Sequence, residues 1–278
     1  MSDFKINGKN IDLSTAIVMG ILNVTDDSFY DGGKYLSTDI MLEKVEQMLS
    51  EGATIIDIGA QSSRPGAKAI DAQLEKERLV SAISSVKQYF PSVIISVDTY
   101  RAEIAKICVE VGADIINDIS AGNLDDKMLD VVADLNVPYI MMHMQGTPEH
   151  MQENPTYSDV ITEVFSFFKQ KIETLKQKGF EKIIIDPGFG FGKTLEHNYE
   201  LLNRLDELKK LGFPILAGLS RKSMIYNLLD SNPKEALNGT TIVNVIALLS
   251  SVSILRVHDV KEAMECIKIV SFAKSFKK

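Results

Sequence analysis

Eight times along this 278-residue chain, a short apolar, β-branched stretch runs into a polar loop and then into a segment with helical spacing. The stretches are 16–22, 54–58, 93–97, 114–116, 138–142, 183–185, 214–217 and 254–257. Runs this short, bounded by Gly, Pro, Asn and Asp, read as buried strands. Their alternation with helices gives parallel βαβ units. Such units close either as a (β/α)8 barrel or as a doubly wound open sheet. Eight strands in a chain of this length favour the barrel, which typically takes about 250 residues. The expected fold class is therefore α/β, a (β/α)8 TIM barrel. No linker, low-complexity segment or second domain interrupts residues 1–278, so one domain is expected. Ahead of the first strand, residues 4–13 alternate apolar and polar around Asn7-Gly8, the dipeptide that most favours a two-residue hairpin. That hairpin is placed to close the bottom of the barrel.

Barrels of this kind collect function at the C-terminal ends of their strands. Here those ends carry Asn23, the Ser62–Arg64 loop, Asp98, Asn117, His143, Asp186, Ser220 to Lys222, and Arg256 to His258. One polar strand end is ordinary, because caps and turns need them. Polar groups at all eight point to a shared pocket. The sharpest stretch is IIIDPGFGFGK, residues 183–193. Asp186 leaves a buried strand there, where a charge needs a fixed partner. It either anchors its own loop or waits for a ligand rich in N–H donors. Asp98, Asn117 and Asp186 together offer acceptors and one amide, which suits the edge of a planar heterocycle such as a pterin or a purine. Arg64, Arg221, Lys222, Arg256 and His258 form a basic set suited to phosphate oxygens. A third set lies in the glycine-bearing loop 23–33: Asn23, Asp27, Phe29 and Asp31. Loops of that kind act as lids.

The remaining features exclude other classes. A net charge of −8 argues against a nucleic-acid surface, so any anion site is a local cluster. The start of the chain lacks a signal-peptide core, and the apolar stretch 241–255 is broken by Asn244 and serines, so no membrane span is expected. Cys108 and Cys266 lack metal or redox spacing and read as packing thiols in a reducing compartment. Gly192-Lys193-Thr194 imitates the end of a phosphate-binding P-loop, but that motif needs Gly where Pro187 stands. His143 and His150 are not at zinc-helix spacing, and a loop or core histidine is the better reading. Met141, Met142 and Met144 read as core or pocket lining.

GILNVTDDSFYDGGKY, SSRPG, SVDT, INDISAG, DPGFGFGKT, LSRKSM and ILRVHDVKEA follow one another in that order between residues 19 and 263. Taken together they resemble the successive motifs of the dihydropteroate synthase family. The resemblance implies an enzyme of folate synthesis that joins 6-hydroxymethyl-7,8-dihydropterin diphosphate to 4-aminobenzoate, releasing diphosphate. It also implies a Mg²⁺ cofactor, a homodimer in the cytoplasm, and sulfonamides as inhibitors. Carried over position by position, it gives Asp98, Asn117 and Asp186 the pterin edge. Lys222 would reach the ring oxygen and nitrogen. Arg256, His258 and Asn23 would serve the diphosphate, with Asn23 also a Mg²⁺ ligand. Phe191, Ser220 and Arg221 would line the aminobenzoate site. Phe29, Asp31, Ser63 and Arg64 would complete it from two mobile loops and, with Lys222, carry the catalytic parts. The expected mechanism is SN1-like: the C–O bond ionises, the dihydropterin ring delocalises the methylene cation, and the amine attacks. The nearest alternatives are a pterin-linked methyltransferase or a non-catalytic pterin-binding module. Neither needs the SRK and RVH groups.

The chain departs from the family pattern at three places. Asp26 stands where the loop usually has Pro, Ser63 where many members have Thr, and Ser251-Val252 where a Gly-containing pair is common. Pro at position 26 would fix φ and remove an N–H, so Asp loosens that loop. Either Asp26 reshapes the lid against the bulk that a sulfonamide carries beyond aminobenzoate, or it reflects drift. The ratio of sulfonamide inhibition constant to aminobenzoate KM, measured with and without Asp26→Pro, decides between them. A tenfold fall on restoring Pro corresponds to about 1.4 kcal/mol of discrimination. A ratio held within about twofold, well under that 1.4 kcal/mol, means drift.

Overall fold

The computed structural model describes residues 4–6, 9–24, 33–61 and 70–276. Phe4–Ile6 (β1) and Lys9–Ile11 (β2) pair antiparallel with Ile6 opposite Lys9, which leaves Asn7 and Gly8 as the connection, outside the described residues. Eight parallel strands follow: Ile17–Asn23 (β3), Ile55–Gly59 (β4), Ile94–Asp98 (β5), Ile115–Asp118 (β6), Tyr139–Met142 (β7), Ile183–Asp186 (β8), Leu216–Ala217 (β9) and Ile254–Val257 (β10). They lie in the order β8-β7-β6-β5-β4-β3-β10-β9. A parallel bridge between Ile185 and Ile215 joins the two ends of the sheet. The expected (β/α)8 barrel is what the chain forms.

The period of two along a strand explains how the barrel is filled. Met19, Ile55, Ile94, Ile115, Ile140, Ile184, Leu216 and Ile254, one from each barrel strand, make one buried apolar cluster. Ile6 and Leu13 belong to the same cluster, so the N-terminal hairpin closes the bottom as expected. Two residues further along each strand the inward positions are Ile21, Asp57, Ser96, Asn117, Met142, Asp186, Gly218 and Arg256. An apolar floor is thus overlaid by a layer in which polar and charged groups predominate. The outward faces pack against the surrounding helices in a second, larger core that includes Val18, Ile56, Val97, Ile116, Met141 and Ile185.

The helices keep their expected places with shifted ends. Asp71 caps Ala72–Tyr89, accepting from Gln73 N at 2.8 Å. The segment expected to be helical from Asp125 begins at Met128, because Asp125 spends its carboxylate on the backbone N–H groups of Lys127 and Ala102. The expected helix 195–211 divides into Leu195–Asn203 and a tighter 3₁₀ segment Leu205–Leu211, with Arg204 at the break. A four-residue helix, Ser223–Tyr226, follows β9 and is too short to show a periodicity in sequence. β9 starts after Pro214, which has no N–H to give the ladder. No helix among the described residues is long and apolar enough to cross a membrane. Cys108 and Cys266 are buried and unpaired, as packing thiols.

Ser251 follows the C-cap of helix Leu237–Leu249 with φ of +65°, a left-handed position that favours glycine. This is the place where the sequence departs from a Gly-containing pair. A non-glycine residue there costs about 1–2 kcal/mol, of which the extra freedom of glycine in the unfolded chain takes back about 0.5–1. Ser251→Gly should raise unfolding free energy by about 0.5–1 kcal/mol, seen as a higher denaturant midpoint at unchanged slope. No gain would show that the serine is held without strain.

Candidate active site

The site is built on the loop that leaves β8. Pro187 stops the strand, and Gly188, Gly190 and Gly192 then turn with φ of +69°, +79° and +60°. Two of them admit no side chain. A Cβ at Gly188 would lie 1.9 Å from the carbonyl oxygen of His143, and one at Gly192 would lie 2.4 Å from that of Gln145. The loop is therefore laid directly on the backbone that follows β7. Asp186 fastens its near end, its Oδ1 accepting from Gly188 N at 2.8 Å. Lys193 fastens the far end from inside. Its buried Nζ donates to the carbonyls of Gly188 (2.9 Å) and Phe191 (3.1 Å), and to His143 Nδ1 at 3.0 Å. The lysine of the false P-loop is thus a staple, with its donors committed to protein acceptors. Burial lowers its pKa to about 7, and burial with the Lys193 charge holds His143 down at about 2, so His143 is neutral and its Nδ1 accepts the hydrogen bond from the lysine.

Across the barrel mouth, β10 contributes Arg256. Its Nε donates to Asp57 Oδ2 at 2.6 Å and its Nη2 to Asp98 Oδ2 at 2.7 Å. Asp57 Oδ2 also accepts from Asn117 Nδ2 at 3.1 Å. Burial raises the Asp98 pKa to about 7 against the pull of Arg256, and burial likewise raises that of Asp186. Burial works against the Arg256 charge, but the Asp57 and Asp98 carboxylates outweigh it, and its pKa is raised.

Lys222 follows β9. Its Nζ donates to the carbonyl of Phe189 and sits 4.6 Å from the ring centroid of Phe191. Burial lowers its pKa to about 8, with Asp186 pulling the other way. Phe191 packs with Ile119, Met142, Met144 and Met151 in a small apolar cluster at this end, so Met142 and Met144 line the mouth while Met141 belongs to the outer core. His258 N donates to Ser220 Oγ at 3.2 Å, and the same hydroxyl lies 3.0 Å from His258 Nδ1, within hydrogen-bond distance. Arg221, at φ of +54°, grips Asp259 with Nε and Nη2 (2.8 Å each) and the carbonyls of Pro233 and Lys234 with Nη1. Its guanidinium braces the turn that presents Ser220 and Lys222. Asn23 is exposed at the end of β3.

The structure thus gathers Asp98, Asn117, Asp186, Phe191, Lys222 and Arg256 at one end of the barrel, with Ser220 and His258 joined beside them. Asp26, Asp27, Phe29, Asp31, Ser63 and Arg64 lie outside the described residues. Asp57 and Ser96 carry no motif in the sequence, and Lys193 carries a misleading one. A lone Asp within the run IIDIG was the available signal, since only an inward, partnered position tolerates it.

A family model for pterin binding enzymes matches residues 19–258. The curated dihydropteroate synthase of Escherichia coli (strain K12) is 45% identical over 97% of this chain and 96% of its own length. The chain belongs to the dihydropteroate synthase family. A crystal structure of Yersinia pestis dihydropteroate synthase with a sulfonamide drug superposes with a TM-score of 0.91 at 43% identity, covering 98% of each chain. A Xanthomonas albilineans dihydropteroate synthase with 4-aminobenzoic acid superposes with a TM-score of 0.91 at 35% identity, covering 99% of this chain and 100% of that one. A dihydropteroate synthase framework therefore extends over nearly all of the molecule.

The His143–Lys193 tie has a pH signature. His143 stays neutral when folded but takes a proton below about 6.5 when unfolded, so the unfolded chain binds more protons and stability falls as pH drops below 6.5. This one group contributes up to about 1.4 kcal/mol per pH unit. In paired denaturant titrations, His143→Gln should lose that contribution and show a shallower decline between about pH 6.5 and pH 4.5. Parallel curves for the two proteins would show that His143 is not a buried neutral acceptor.

Proposed function

We propose that this chain is a dihydropteroate synthase working through the site just described. It condenses 6-hydroxymethyl-7,8-dihydropterin diphosphate with 4-aminobenzoate to give 7,8-dihydropteroate and diphosphate. The observation that carries the reading is the convergence of two chemically distinct sets at one barrel mouth. Asp98, Asn117 and Asp186 offer acceptors to the N–H edge of a pterin. Lys222, Arg256 and His258 offer donors to ring oxygen and phosphate oxygens. A binding module or methyl carrier needs the first set alone.

In this reading Asp186 has two tasks. Oδ1 holds the glycine loop, and the second oxygen faces the ligand beside Lys222. Lys222 reaches the ring, Arg256 lies against its face, and Phe191 with Ser220 receives the aminobenzoate. Arg221 contributes to that subsite by bracing its turn. Phe29, Asp31, Ser63 and Arg64 complete the site from the two loops, exclude water and stabilise the methylene cation as the C–O bond ionises. Among the described residues, no three His, Cys, Asp or Glu side chains form a metal cage. Mg²⁺ arriving with a diphosphate needs none, since it keeps several waters and takes one or two protein oxygens plus phosphate oxygens. The Asn23 amide, a hard oxygen donor exposed at a strand end, fits that part. When bound, the ion would draw charge from the departing diphosphate. Sulfonamides would occupy the aminobenzoate subsite. One domain, a homodimer and a cytoplasmic setting complete the proposal, the last supported by two unpaired thiols and no membrane-spanning helix among the described residues.

The decisive assay follows diphosphate release with and without 4-aminobenzoate. Release that depends on the amine and yields dihydropteroate is expected. Release that the amine does not accelerate, or no dihydropteroate formed in its presence, would overturn the reading. Asp186→Asn tests the site. An amide can keep its oxygen on Gly188 N but then turns N–H groups towards the pterin N–H edge. Pterin affinity by calorimetry should fall at least about tenfold with the fold intact, from a loss of roughly 1.5–3 kcal/mol. Unchanged affinity would leave Asp186 as a loop anchor only.

A further inference from the structure

Asp57 has no place in the roles above, yet it touches two residues that do. It is wholly buried in the middle of β4. Its Oδ2 accepts from Arg256 Nε and from Asn117 Nδ2, while its Oδ1 is buried without a hydrogen-bond partner among the described residues. A buried carboxylate with an unpaired oxygen is a liability for folding alone. Its geometry makes sense through what it does to its neighbours. A carboxylate only accepts, so the Asn117 amide must turn its NH₂ towards Asp57 and its oxygen away. Asp57 also takes the Nε of Arg256, the nitrogen nearest the stem, while Asp98 takes Nη2 on the same edge of the guanidinium. With that edge held at two points, the plane of the guanidinium is fixed and Nη1 is left on the opposite side.

We propose that Asp57 is a positioning residue that sets both the amide orientation of Asn117 and the plane of Arg256. It thereby makes the pterin subsite present acceptors along one edge and a fixed cationic face beside it. This rests on the pterin reading of the site. In that reading Asn117 offers its oxygen, so Asp98, Asn117 and Asp186 together form an all-acceptor edge. Such an edge admits a ring that presents several N–H donors to it and disfavours one that faces it with carbonyls in their place.

The test is a double-mutant cycle on the whole enzyme, with calorimetric affinity for 6-hydroxymethyl-7,8-dihydropterin diphosphate as the probe. Asp57→Asn keeps the shape but lets position 57 offer N–H groups to Asn117. It should weaken pterin binding at least about tenfold, while in an Asn117→Ala background the same change should cost less than about threefold. In steady state, Asp57→Asn should raise KM for the pterin diphosphate and leave KM for 4-aminobenzoate within about twofold, a split that general loosening of the barrel would not give. Asp57→Ser, which removes the charge with a smaller side chain, carries the same expectation and serves if Asp57→Asn does not fold. Unchanged pterin affinity in a folded variant, or losses that multiply in the double mutant, would overturn the proposal. Failure of the unsubstituted protein to bind 6-hydroxymethyl-7,8-dihydropterin diphosphate would instead overturn the functional reading on which it rests.

Discussion

A guanidinium shared by two carboxylates allows this barrel to carry charge in its interior. Asp57 and Asp98 come from adjacent strands, and like charges so close in a dry setting would leave one of them protonated or the layer expanded. Arg256 enters from β10 and bonds to both. Asn117 then finds its acceptor on Asp57. The apolar floor beneath would otherwise continue upward as another ring of isoleucines, and the molecule would be a filled barrel with no chemistry. Replacing such a set by hydrophobic residues is often neutral or stabilising elsewhere, so its presence here reflects use more than stability.

The second fixed point is the ammonium of Lys193 inside the glycine loop. Three glycines give the loop its turns and its close approach to the backbone after β7, but glycines alone leave a chain free to move. Lys193 supplies the restraint, tying Gly188, Phe191 and His143 to one atom. Asp186 and Phe191 are therefore set on a stiff support. The side of the mouth built on β8 is thus fixed by its own hydrogen bonds before any ligand arrives.

Much of this was legible in sequence because it rests on local rules. The strand count, the closing hairpin and the polar strand ends follow from periodicity and turn chemistry, and Asp98, Asn117, Asp186, Lys222 and Arg256 stand where those rules put them. What escaped was whatever depends on a partner distant in the chain. Asp57 read as one residue of an apolar strand, since its meaning comes from Arg256, close only once the barrel closes. Lys193 read as a failed phosphate motif, because its acceptors are carbonyls that face inward only after the glycines have turned. Arg221 read as a ligand-facing cation, and the structure shows it clasping Asp259. The division of helix 195–211 escaped because its apolar spacing continues across the break at Arg204.

The closing hairpin has a consequence for the order in which the molecule can form. Ile6 and Leu13 precede every barrel strand, yet their cluster includes Ile254 from the last of them, and β3 pairs with that same strand along its length. The first barrel strand pairs with β4 soon after it in the sequence, but its other neighbour is the last barrel strand. Until that strand joins it, its edge is open and its apolar floor uncovered, the condition in which strands find wrong partners. The residues that cap the floor and the strand that completes it therefore stand at opposite ends of the barrel sequence, so closing the barrel is a contact of long sequence separation, the kind that slows folding.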